Sequence, residues 1–232
     1  GQLFSLSLLA LTGLSVLSAA AIPSVLLRLA QGRDRVISKK NRTILGLVWG
    51  INLLLTFGNQ RFDLGIRTAI PAFVWVLLAL GLYVYQNKSN KSLLGLTLLS
   101  LSALIPLLWH QNTPGLQAIE SWNLMNQVLM GLLFPLFIVR NFGPLLAQNL
   151  PIHKVIHKAA LLPLHLIQIG VLILSMGAVF AFNSSAYHLG MAAKENYAGD
   201  VAALFEDRTM AEIHYKNATL HSRLNSKSNL SL

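Results

Sequence analysis

Asp, Glu, Lys and Arg are absent from six long stretches of this 232-residue chain: residues 1–27, 43–60, 68–87, 92–119, 121–139 and 159–193. A bilayer core about 30 Å thick takes roughly 20 apolar residues per helix. Each stretch meets or approaches that length. Lipid offers no water to backbone amides, so such stretches must close their hydrogen bonds internally, as helices. The expected fold class is therefore all-α: a polytopic integral membrane protein with about six transmembrane helices and a short C-terminal extramembrane helix.

Six spans and their connections use almost the whole chain. The organisation expected is a transmembrane hairpin over 1–60, a four-helix transmembrane region over 61–183, and an extramembrane tail over 184–232. Hydrophobic residues make up 54% and charged residues 11%, well under the quarter usual in soluble domains. There is no cysteine, so disulfides, thiolate catalysis and cysteine-ligated metal are excluded.

The formal net charge of +10 suggests nucleic acid until it is located. Arg28, Arg33, Arg35, Lys39, Lys40 and Arg42 crowd the first connection, Lys88 and Lys91 the third, and Arg140, Lys154 and Lys158 the fifth. The second connection holds Arg61 and Arg67 beside Asp63, the fourth holds Glu120 alone, and the tail balances five bases with five acids. This is the positive-inside distribution. It places the odd connections in the cytoplasm or its equivalent and both termini on the lumenal or periplasmic side, and it argues against nucleic acid as a partner. The basic cluster follows the first apolar run, where a secretory signal would have it precede. That run is therefore expected to be an uncleaved span.

Prolines 23, 71, 106, 135 and 163 are expected to mark kinks or helix ends. A short interfacial helix is expected from Pro151. In the tail, Val201, Leu204, Phe205, Ala211, Ile213, Leu220 and Leu224 are spaced as one partly apolar helix face.

Few residues could carry chemistry. His153 and His157 lie four apart, but Lys154 and Lys158 beside them would repel a cation. With Arg28, Arg33, Arg35, Lys39 and Lys40 they read as a basic patch for lipid headgroups or a partner. His110 and His165 fall at the edges of spans, where each could ligate a pigment or hydrogen-bond a neighbour. No acid lies inside a span, which counts against proton- and cation-coupled transport. The polar set within the spans is Asn52, Asn126, Gln127 and Gln168, residue types that hydrogen-bond between helices. His110 with Glu120 is a possible acid–base pair at the outer surface. Gly46 and Gly50 have the small-xxx-small spacing that lets membrane helices approach closely.

The first hairpin resembles the photosystem II reaction-centre subunit Z family. The similarity rests on Leu3-Phe4, then Leu6, Leu8, Ala10-Leu11, Leu14-Ser15, Ile22-Pro23, Asp34-Arg35, Leu45-Gly46, Trp49 and Asn52. It covers residues 1–60. The connection here is longer and more basic than the family's, and the family ends where four more expected spans begin. The resemblance implies a two-helix hairpin with lumenal termini in a thylakoid membrane. It also implies a non-catalytic accessory role, stabilising contacts between core and antenna subunits, with chlorophyll or carotenoid at subunit interfaces. Two rival expectations remain: a small-solute transporter or channel lined by Asn52, Asn126, Gln127 and Gln168, and a membrane enzyme using His110 and Glu120.

Overall fold

The structure is a computed structural model that describes residues 2–31, 39–62, 71–72, 74–75, 77–78, 81, 108–110, 112–148, 150–156, 161–182 and 184–222. Every element among the described residues is helical: α1 (Gln2–Gln31), α2 (Lys39–Phe62), α3 (Thr113–Ala147), a 3₁₀ turn (Ile152–Lys154), α4 (Leu164–Phe182), α5 (Ser184–Leu204) and α6 (Arg208–His221). A further helical turn opens at Pro71, whose carbonyl accepts the Val74 N–H at 3.0 Å. Proline suits a first turn because its missing N–H is not needed there.

Leu11–Leu29 and Thr113–Ala147 are long and apolar enough to cross a bilayer; the apolar sections of α2 (Thr43–Asn59) and α4 (Leu164–Val179) are shorter. The third and fourth charge-free stretches lie largely outside the described residues.

α3 differs from expectation. A connection at Glu120 was expected, yet Glu120 lies inside a single 35-residue helix. The break comes earlier, at Asn112. The Asn112 side-chain oxygen accepts the Gly115 N–H at 3.3 Å and its carbonyl accepts the Leu116 N–H at 3.1 Å, which caps the new helix. One carboxylate does not stop a helix, whereas a capping Asn followed by Thr113-Pro114 starts one. At its far end α3 continues past Arg140 with one kink, at Phe142 (φ −130°, ψ 16°). Two residues on, Pro144 lacks an N–H and its ring crowds the carbonyl four residues back. Pro23 and Pro135 also lie within helices, Pro71 and Pro163 at helix starts; Pro106 is outside the described residues.

The chain forms two compact units: one from Gly1–Thr12, Gly95–Trp122 and Gly177–Leu232, the other from Gly13–Leu94 and Asn123–Met176. In the second unit, Ala19 and Ala20 of α1 meet Met130, Phe134, Phe137, Ile138 and Phe142 of α3, Ile152 and Ile156 of the 3₁₀ segment, and Val171 of α4. Phe137 stacks edge-on against Phe142 with ring centroids 6.0 Å apart.

The outer faces of this unit are apolar and its interior carries polar side chains. On α2, Ile44, Leu47, Val48, Ile51, Leu54 and Leu55 are exposed, while Asn52 and Thr56 are buried. On α3, Leu132, Leu136 and Val139 are exposed, while Asn126 and Gln127 are wholly buried. On α4, Leu166, Ile169, Ile173 and Leu174 are exposed and Ser175 is buried. A water-soluble helix has the reverse arrangement.

In the first unit, α5 and α6 form an antiparallel hairpin, so the tail has two helices where one was expected. Of the expected apolar face, Ala211 is packed and Val201 half-buried, but the large described residues on α6 and its turn are not. Leu204, Phe205, Ile213 and Leu220 are exposed, and α6 buries Ala211, Tyr215 and Ala218. Leu224 lies outside the described residues. Small side chains win this face because the helices approach closely: a Cβ built on Gly199 would lie 2.7 Å from the Tyr215 ring. The turn closes with the Asp207 N–H donating to the Ala202 carbonyl at 3.0 Å, Glu206 in the left-handed region (φ 61°), and Asp207 capping α6 through the Met210 N–H at 3.0 Å. The left-handed position favours glycine, so Glu206 holds it at some cost.

Candidate functional site: a polar seam and a histidine-rich hairpin

Two clusters of polar side chains stand out. The first is a seam inside the second unit. Asn126 of α3 sits between two serines: its amide nitrogen donates to Ser15 Oγ of α1 at 3.0 Å, and its oxygen accepts from Ser175 Oγ of α4 at 2.6 Å. Beside it, Gln127 donates to the Ala72 carbonyl at 2.7 Å and accepts from the Trp49 indole at 3.5 Å. Asn126 and Gln127 are both 0% exposed, and each binds two other segments. This is what a buried amide must do, since an unpaired one costs about 1–3 kcal/mol. One turn earlier on the same face, both amide atoms of buried Asn123 have no hydrogen-bond partner among the described residues. Of the remaining expected polar residues, Asn52 is buried and Gln168 half-buried.

Of the expected docking glycines, Gly46 and Gly50 meet nothing among the described residues: a Cβ built on either has no neighbour there within 4 Å. The close approach to α2 falls instead at Gly131 of α3, where a Cβ would lie 3.3 Å from the Trp49 ring. That use of glycine carried no signal in the sequence, because Gly131 has no small residue at the matching spacing.

The basic patch is described only in part. Arg28 is half-buried in the last turn of α1, Lys154 is exposed on the 3₁₀ turn, and the His153 N–H donates to Gln31 Oε1 at 3.2 Å. That bond joins the end of α1 to the fifth connection. Lys39 and Lys40 open α2; Arg33, Arg35, His157 and Lys158 lie outside the described residues.

The second cluster lines the α5–α6 hairpin. Asp200 accepts from Tyr215 Oη at 2.8 Å, and its other oxygen lies 3.6 Å from His110 Nδ1. Glu195 and His214 pair at 2.8 Å. His188 and His221 stack with centroids 5.8 Å apart. The Asn112 amide donates to the Ala193 carbonyl at 3.0 Å and accepts from Asn196 at 3.4 Å, tying the cap of α3 to α5. On the exposed side of α6, Lys216 holds the Glu212 carboxyl below the usual carboxylate range, first by a hydrogen bond and then by its charge. His110, expected to meet Glu120 or a pigment, thus faces Asp200, which is remote in sequence. His165 is exposed on the first turn of α4.

No nucleophile activated by a base appears in either cluster, and no group of three or more His, Cys, Asp or Glu side chains is gathered among the described residues. Comparison of the chain with protein-family models, curated proteins and solved structures finds no match.

Proposed function

We propose that the protein is an integral membrane, non-catalytic accessory subunit of a photosynthetic complex, with α2 as its docking helix. The carrying observation is the inverted α2: polar residues inward, an apolar stripe outward, and Gly46 and Gly50 unfilled by the other described helices. A stripe of that size is not left to water. Small residues let a second membrane helix approach closely. The six charge-free stretches support six spans. The Gln31–His153 bond supports the first and fifth connections lying together, and the Asn112–Ala193 bond supports the fourth connection lying with the tail. The similarity of the first hairpin to the subunit Z family supports photosystem II and the thylakoid as the setting. There the partners are other membrane subunits and lipids. His165 is exposed for a pigment held between subunits. His110 has the carboxylate partner that commonly orients a ligating imidazole.

Gly46→Leu with Gly50→Leu tests the docking helix. Since a Cβ at either position has no neighbour within 4 Å among the described residues, the double variant should insert and fold as the parent does, yet no longer co-migrate with its complex in native gels of solubilised membranes. Unchanged co-migration would sink the docking role. The chain's lack of cysteine allows a clean topology test. A cysteine at Lys216 should react with an impermeant maleimide from the lumenal or periplasmic side only, and reaction from the opposite side would overturn the orientation.

A small-solute path is the second reading, favoured by the unpartnered amide of Asn123. The same gels separate the two, because a transporter would migrate alone.

A further inference from the structure

The histidines of the first unit divide by partner. His110 and His214 each face a carboxylate, Asp200 and Glu195. His188 and His221 have neither a carboxylate nor a hydrogen-bond partner among the described residues; their contacts are with each other and, for His188, the ring of Tyr187. The ring planes are 30° apart and the centroids 5.8 Å apart. His188 lies in the second turn of α5, and His221 is the last residue of α6. The pair therefore sits at the open end of the hairpin, away from the turn at Glu206.

We infer that His188 and His221 form a two-imidazole site for a borderline divalent cation, copper(II) or zinc, clasping the ends of α5 and α6. Several observations converge. Four ring nitrogens lie together with no hydrogen-bond partner among the described residues, on two helices whose spacing is already fixed by Gly199 against Tyr215. His188 is exposed and His221 half-buried, so a cation and its waters can enter. Metal–nitrogen bonds of about 2.0–2.1 Å on both rings are compatible with centroids 5.8 Å apart once the rings tilt edge-on to a shared ion. Exposure leaves the His188 ring room to turn toward that ion about its two side-chain torsions. Two imidazoles and no carboxylate select nitrogen-seeking ions: copper(II) above zinc, with the oxygen-seeking magnesium and calcium excluded. Water completes the coordination.

Calorimetric titration of the full chain in detergent with copper(II) chloride should give one ion per chain. Zinc chloride should bind more weakly, and calcium chloride should give no heat. His188→Ala and His221→Gln should each weaken copper binding by at least roughly tenfold, taking the loss on removing a metal site's outer-shell support as the lower bound. The copper(II) electron spin resonance spectrum should show coupling to two nitrogens in the parent and to one in either variant. Circular dichroism of the apo variants should match the parent, since neither ring has a hydrogen-bond partner among the described residues. Affinity unchanged in either variant would overturn the site. So would equal binding of calcium, or one copper per two chains with a doubled particle mass.

Discussion

Gly199→Leu should open the α5–α6 hairpin. The ring that blocks a side chain there cannot step aside: Tyr215 is buried, and its hydroxyl donates to Asp200 at 2.8 Å. A Cβ at position 199 already falls 2.7, 2.9 and 3.0 Å from three of its ring atoms. Even Gly199→Ala sets two effects against each other. Replacing a helical glycine gains about 1 kcal/mol, while overpacking costs about 1–3 kcal/mol. The clash is with a pinned ring, so the net should be destabilising by roughly 1 kcal/mol, and leucine, with three more carbons, should exceed that. Hydrogen exchange reads this locally. Amides of α6 should lose protection in Gly199→Leu while those of α3 from Met130 to Phe137 keep theirs. Protection unchanged across α6 would show that the Gly199–Tyr215 contact does not hold the hairpin.

Asn126→Ala should be the most damaging single truncation in the second unit. It removes both hydrogen bonds that link α1, α3 and α4, and it leaves a cavity at a fully buried position. Each bond contributes about 0.5–1.5 kcal/mol in water-soluble proteins and about 0.6 kcal/mol on average between membrane helices. With the cavity, a loss of about 2–4 kcal/mol is expected. Ser15→Ala and Ser175→Ala should each cost less, because only one of the two bonds goes. A double-mutant cycle between Asn126 and either serine should give a coupling of about 0.5 kcal/mol or more. Strict additivity in reversible denaturant unfolding would mean that the seam is not a unit.

These two sites differ in how far the sequence revealed them. Asn126 and Gln127 were visible as polar residues in an apolar run, and in such a run an amide is expected to bond between helices. Which serines it would meet was not visible, because Ser15 and Ser175 lie 111 and 49 residues away and four of the six apolar stretches carry serine. Gly199 carried no signal: it stands in the polar tail among ordinary helix formers, and only the approach of Tyr215 gives it a role.

The sequence by itself determined that the described parts of the long stretches are mostly helical, since eighteen or more residues without charge leave the backbone to satisfy itself. It also determined where the basic side chains gather and that a short helical turn follows Pro151. Tertiary structure alone decided which face of each helix is inward. When Leu and Ile surround a helix on all sides, its 3.6-residue period carries little contrast, and burial is set by where polar side chains find partners. The same contest moved a helix start from Glu120 to Asn112, whose side chain could cap it. It gave His110 to Asp200, left Gly46 and Gly50 open, and spent Gly131 on Trp49. Apart from the local cap at Asn112, each outcome depends on atoms brought together from distant parts of the chain, which no local pattern of charge or spacing encodes.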